Sequence, residues 1–147
     1  MTDWLSIRLT REPLDAAEAI TAVSAASTGG IDLFLGVTRA EESAELGPLL
    51  HLDYHAYEEM AAAELRRIAD RAKAQWQVVR MVVWHRLGPV AVGEPSVVIA
   101  VSSPHRNDAF MACRYMIDEL KKLAPIWKRE VYRGDARWQS PPHDSPP

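Results

Sequence analysis

The chain has one cysteine in 147 residues, Cys113. No internal disulfide can form from it, and no cysteine-based metal site can be assembled. Such sparing cysteine use fits a reducing compartment, so a cytoplasmic protein is expected. No apolar run approaches the roughly twenty residues that a membrane helix needs. Arg8, Arg11 and Glu12 arrive too early for an apolar signal region. Basic residues are outnumbered, 17 against 20, and no broad basic surface for nucleic acid is implied. The phosphate-loop pattern, the dinucleotide glycine pattern and the strained nucleophile turn are all missing. His51, His55, His85 and His105 show no metal-ligand spacing, so neither a metal nor another cofactor is expected.

What is present is an ordinary soluble composition, 48% apolar and 25% charged, on a chain long enough for one domain with a real core. Trp4 to Leu9 alternates as a strand. A helix of about three turns follows from Pro13, with Leu14, Ala17, Ile20, Ala22 and Val23 at helical spacing and Ser27 to Gly30 as its stop. Ile31 to Thr38 and Leu50 to Tyr57 read as strands, with the acidic loop Ala40 to Pro48 between them. Glu58 to Trp76 is the clearest helix, with Ala61, Leu65, Ile68, Ala72 and Trp76 spaced for one buried face.

Val78 to Leu87 is β-branched and strand-like, Val90 to Val92 is a short strand, and Ser96 to Ser102 is apolar enough for a central strand buried on both faces. The last helix is expected over Asp108 to Leu123, capped by Asn107 or Asp108, with Phe110, Cys113, Ile117, Leu120 and Ala124 buried. Pro125 ends it, and Ile126 to Tyr132 forms a last strand. This order predicts an α+β domain over 1–139 with a mostly antiparallel or mixed sheet and about three helices. The tail 140–147, SPPHDSPP, is half proline and is expected to be disordered.

Charge is unevenly placed. Ser102 to Arg133 carries +3, whereas the whole chain carries −3, so the remainder sums to −6. Concentrated positive charge in an acidic protein suits an anionic small molecule. His105 and Arg106 sit between a central strand and a helix start, where backbone N–H groups and the helix dipole favour an anion. Lys121 lies at the edge of that helix's packed face, and Lys128 lies just past the Pro125 turn. If the strand folds back, the two amines converge, and a lysine in a cation-rich, partly desolvated pocket can act as base or nucleophile. Arg39 ends a strand beside the acidic loop, with Phe34 five residues earlier. Taken singly, each residue also fits an ordinary surface role. Together they argue for an anion pocket, and composition and spacing do not name its reaction.

The string HRLGPVAVGEPSVVIAVSSPHRNDAFMACRYMIDELKKLAPIWKRE closely resembles the MoaE family, the catalytic subunits of molybdopterin synthase. FLGVTR and LDYHAYEEMA resemble it too, in the same order, so the likeness covers roughly Leu5 to Trp138. Thr38 and His55 depart from the family's frequent valine and acid. The resemblance implies an α/β hammerhead-type fold and a homodimer. It also implies that each subunit binds a small ubiquitin-like sulfur carrier, giving a heterotetramer. The carrier's Gly-Gly tail would end in a thiocarboxylate, and its sulfur would pass to cyclic pyranopterin monophosphate, forming the dithiolene of molybdopterin. By the family's motif, Arg39, His105 and Arg106 look like anion-binding residues, Lys121 and Lys128 like the catalytic lysines, and Phe34 like the aromatic wall. Lys121 is expected nearest the sulfur transfer, with Lys128 holding substrate or tail. The competing expectation is a module that binds an anionic tail or phosphorylated metabolite without turnover.

Overall fold

The computed structural model describes residues 4–139. In chain order these form β1 (Leu5–Thr10), α1 (Ala16–Val23), β2 (Gly30–Val37), β3 (Glu42–Ser43), β4 (Gly47–Ala56), α2 (Glu58–Gln75), β5 (Arg80–Arg86), β6 (Gly88–Ala91), β7 (Pro95–Ser103), α3 (Arg106–Leu123), β8 (Ile126–Tyr132) and β9 (Ala136–Gln139). The expectation for the proline-rich tail and its His143 lies outside the described residues.

The strands divide into two sheets. The first has the order β1-β5-β7-β2, with β1 parallel to β5 and the other pairs antiparallel. The second has the order β3-β4-β8-β9, with β6 also against β4, and its pairs are antiparallel. The fold is therefore α+β, with three helices and mixed pairing, as the element order predicts. β7 is buried almost end to end. Its alternate residues serve two cores: Val97, Ile99 and Val101 face α3, and Val98 and Ala100 join Ala19 and Val23 of α1. Leu65, Ile68, Ala69 and Ala72 of α2 complete the larger core.

Three local expectations are corrected. α1 is shorter than expected, because Asp15 acts as its N-cap and accepts from the Ala17 N–H at 2.9 Å. α3 starts at Arg106 with His105 at the N-cap position, and neither Asn107 nor Asp108 caps it. The Asp108 carboxylate instead accepts from the Gln77 N–H at 2.9 Å, tying α3 to the segment after α2. Phe110 is 55% exposed, and the buried stripe is Ala109, Ala112, Cys113, Met116 and Leu120. Two apolar stripes share this helix, and the one with alanines lets α3 sit close on the sheet.

Glycine decides one approach. A Cβ on Gly29 would stand 2.0 Å from the Pro104 carbonyl oxygen, and one on Gly30 would stand 3.3 Å from the Arg106 Cα. These glycines let β2 run under the Ser103–Arg106 turn, rather than terminating α1, which ends at Val23 with Ser24 as its C-cap. At the other end of α3, Pro125 forces Ala124 into extended backbone (φ −74°, ψ 131°) and β8 begins at once.

Candidate active site

The turn at Pro125 sends β8 back along the second sheet, and this brings the two lysines together. Antiparallel register places Lys128 opposite Tyr54 and Glu130 opposite Leu52, so these four side chains share one face. Lys121, in the last turn of α3, meets that face from the first sheet's side. The resulting cleft of about 340 Å³ lies between the sheets, and Phe34, Arg39, Lys121 and Lys128 all line it. A cavity of this size suits a small ligand. Its floor includes Gly36, where an added Cβ would meet the Val97 Cγ1 at 2.6 Å. The register slip between Gly36 and Val37 bends the end of β2 there.

The two amines differ. The Lys128 ammonium is half-buried and its pKa is lowered, first by loss of water, then by the Lys121 charge and more weakly by Arg39; Glu130 and Glu41 oppose the shift. Lys121 is exposed and makes no ion pair among the described residues. The Arg39 side chain, 85% exposed, is paired with Glu41 at 3.2 Å. Glu130 is buried, and its carboxylate pairs with the Arg137 guanidinium at 3.4 Å.

His105 and Arg106 are not in this cleft. They stand exposed at the opposite end of α3, and fifteen residues of helix at 1.5 Å each put them about 22 Å from Lys121. Beside them the hydroxyls of Ser103 and Thr28 are buried without a hydrogen-bond partner. One chain thus brings four of the six expected residues together and holds the other two apart. Sequence reading missed Tyr54, Ser96, Glu41 and Glu130 as cleft residues; the alternation of β4 and β8 was the available signal, and only pairing shows which face is enclosed. The two departures from the family pattern lie elsewhere. Thr38 is buried with its hydroxyl donating to the Val90 carbonyl at 3.5 Å, and His55 contacts Asp53 at 3.0 Å on the face opposite Tyr54.

Fold and cleft together define a class: a two-sheet α+β protein with a cleft that Arg39, Lys121 and Lys128 line. A family model described as MoaE protein matches residues 9–123. A molybdopterin synthase catalytic subunit from Pyrococcus abyssi is 44% identical over 128 residues, 85% of this chain and 84% of that protein. The chain spans 63% and 36% of two longer curated relatives. The crystal structure of molybdopterin synthase from Staphylococcus aureus superposes with a TM-score of 0.85 at 30% identity, covering 95% of this chain and 98% of that one. A Helicobacter pylori complex of subunits 1 and 2 of molybdopterin-converting factor contains a chain that matches at TM-score 0.73 and 25% identity, covering 91% and 88%. The chain belongs to the MoaE protein family.

Proposed function

We propose that this chain is the catalytic subunit of a molybdopterin synthase, acting in the cytoplasm. It transfers sulfur from the C-terminal thiocarboxylate of a small ubiquitin-like carrier to cyclic pyranopterin monophosphate, building the dithiolene of molybdopterin. The observation that carries this reading is the meeting of Lys121, Lys128, Arg39 and Phe34, from four separate segments, in one cleft. Both reactants are anions, and guanidinium and ammonium groups suit them. The related complex from Helicobacter pylori supports a small-subunit partner.

The division of labour shifts from the one expected. Burial lowers the pKa of Lys128, so Lys128 is suited to give up a proton, and Lys121 stands beside the incoming sulfur as an electrostatic stabiliser. His105 and Arg106 can join such a cleft only from a second copy of the chain, given the length of α3. This supports a homodimer whose cleft is completed across the interface, inside a heterotetramer with two carriers. The unpartnered hydroxyls of Ser103 and Thr28 beside a helix N-terminus fit a phosphate there.

The test is incubation with thiocarboxylated carrier and cyclic pyranopterin monophosphate, with the dithiolene product measured. Tight binding of both without sulfur transfer would replace the enzyme by a binding module. Lys121→Ala, folded and carrier-bound, is expected to lose at least about a hundredfold in rate.

A further inference from the structure

One buried group has no part in the site so far. His85 lies on β5 and is 4% exposed. It continues the alternate series Met81, Val83 on the face that α3 covers. Register places it beside Val97, and Val97 beside Gly36. The row His85–Val97–Gly36 therefore runs under the cleft, and two of its three members line the cleft directly.

The ring is held from two sides. Its Nδ1 stands 2.8 Å from the Arg86 carbonyl oxygen, which can only accept, so Nδ1 carries the proton and Nε2 carries the lone pair. The Tyr54 ring packs edge-on against it, centroids 4.9 Å apart at 71°. Tyr54 lines the cleft and is hydrogen-bonded to the Ser96 side chain. Among the described residues no hydrogen bond to Nε2 is formed, which leaves its lone pair free to accept one. Across the cleft floor, Lys121 is an unpaired donor.

We propose that His85 is a positioning residue, whose Nε2 accepts a hydrogen bond from the Lys121 ammonium and so sets the place of that amine in the cleft. Burial lowers the imidazole's pKa to about 4; the Arg86 carbonyl opposes this and the Lys121 charge adds to it. The ring is therefore a neutral acceptor throughout the neutral range. The charged and titratable groups around it are Lys121 from α3, Tyr54 from β4, and Lys128 and Glu130 beyond them on β8. The consequence for sulfur transfer rests on the function proposed above; the donor–acceptor pairing does not.

The test uses the full chain with His85→Asn and His85→Gln. Asparagine keeps a donor for the Arg86 carbonyl and deletes the acceptor, whereas glutamine reaches the Nε2 position and restores one. Acylation of lysines by a small amine reagent is followed by peptide mass spectrometry, with exposed Lys122 as the reference. Losing a hydrogen bond to a charged group is expected to speed Lys121 acylation about tenfold in His85→Asn, while His85→Gln stays within about twofold of wild type. Equal Lys121-to-Lys122 ratios in wild type and His85→Asn would overturn the proposal. In sulfur transfer, kcat is expected to fall about tenfold in His85→Asn with KM unchanged, and to recover in His85→Gln; equal loss in both variants would also overturn it. A measurement on unaltered His85 needs no His85 variant to fold: the ¹⁵N resonance of Nε2 must move on Lys121→Met, and a resonance that stays put refutes the pairing. If the wild-type chain transfers no sulfur, the proposed function falls, and acylation and the ¹⁵N shift still decide the role of His85.

Discussion

Replacing Lys128 by methionine should make the protein more stable at neutral pH while stopping sulfur transfer. Lys128 is half-buried, has no ion-pair partner among the described residues, and sits beside Lys121 and Arg39. Its pKa is lowered in the folded state, mainly by burial, so the folded chain binds the ammonium proton less readily than the unfolded chain does. For such a group stability rises with pH between the folded and unfolded pKa values. The cost of carrying the ammonium is thus fully present below the folded pKa and fades as pH climbs past the ordinary lysine value of about 10.4. Methionine keeps the apolar stem's volume and removes the charge. Water still reaches part of the side chain and Glu130 and Glu41 offset part of the repulsion, so the gain is discounted to about 0.5–1 kcal/mol. For a chain of this size that raises Tm by about 1–4 °C. Thermal unfolding followed by circular dichroism at pH 7 and again above pH 11, at low and high salt, measures it. The reasoning is refuted if Lys128→Met is less stable than wild type at pH 7, or if its gain is as large above pH 11 as at pH 7.

Three further outcomes are expected. Gly29→Ala pushes a Cβ into the Pro104 carbonyl, where backbone must move by about 1 Å, so a loss of about 2 kcal/mol or more should appear in urea unfolding; a loss below 0.5 kcal/mol by that measure contradicts the close approach. The Cys113 thiol is buried and its pKa is pushed up to about 12, first by burial and then by Asp32, so a thiol reagent at pH 8 should label it only after denaturation. Glu41→Gln releases Arg39 from its exposed ion pair and should tighten binding of an anionic ligand about two- to fivefold by calorimetry, with weaker or unchanged binding counting against Arg39 as an anion contact.

Much of the chain was legible from local pattern. The α2 face of Ala61, Leu65, Ile68 and Ala72 and the continuous burial of β7 follow from period and composition, because each depends on near neighbours in sequence. The Pro125 break was legible for the same reason, whereas the return of Lys128 toward Lys121 depended on β8 folding back, which the pairing with β4 provides. The exposure of Phe110 is not legible in this way, because α3 carries two apolar stripes and periodicity alone does not say which one the sheet covers.

By itself, then, the sequence determined an acidic α+β chain with one basic segment, its main helices, its central strand and, through shared motifs, its family. Only the tertiary structure decided which of those cations meet. Strand register carried Arg39 and Phe34, some ninety residues from the lysines by sequence, to the same cleft. The straight run of α3 did the opposite for His105 and Arg106, which are sequence neighbours of the lysine segment and stand a helix length away. The pairing of His85 with Val97 under Lys121 was equally invisible before the sheet was formed. Sequence distance is a poor guide to spatial distance in both directions, because a helix separates residues at a fixed rise while a sheet joins residues from any distance along the chain.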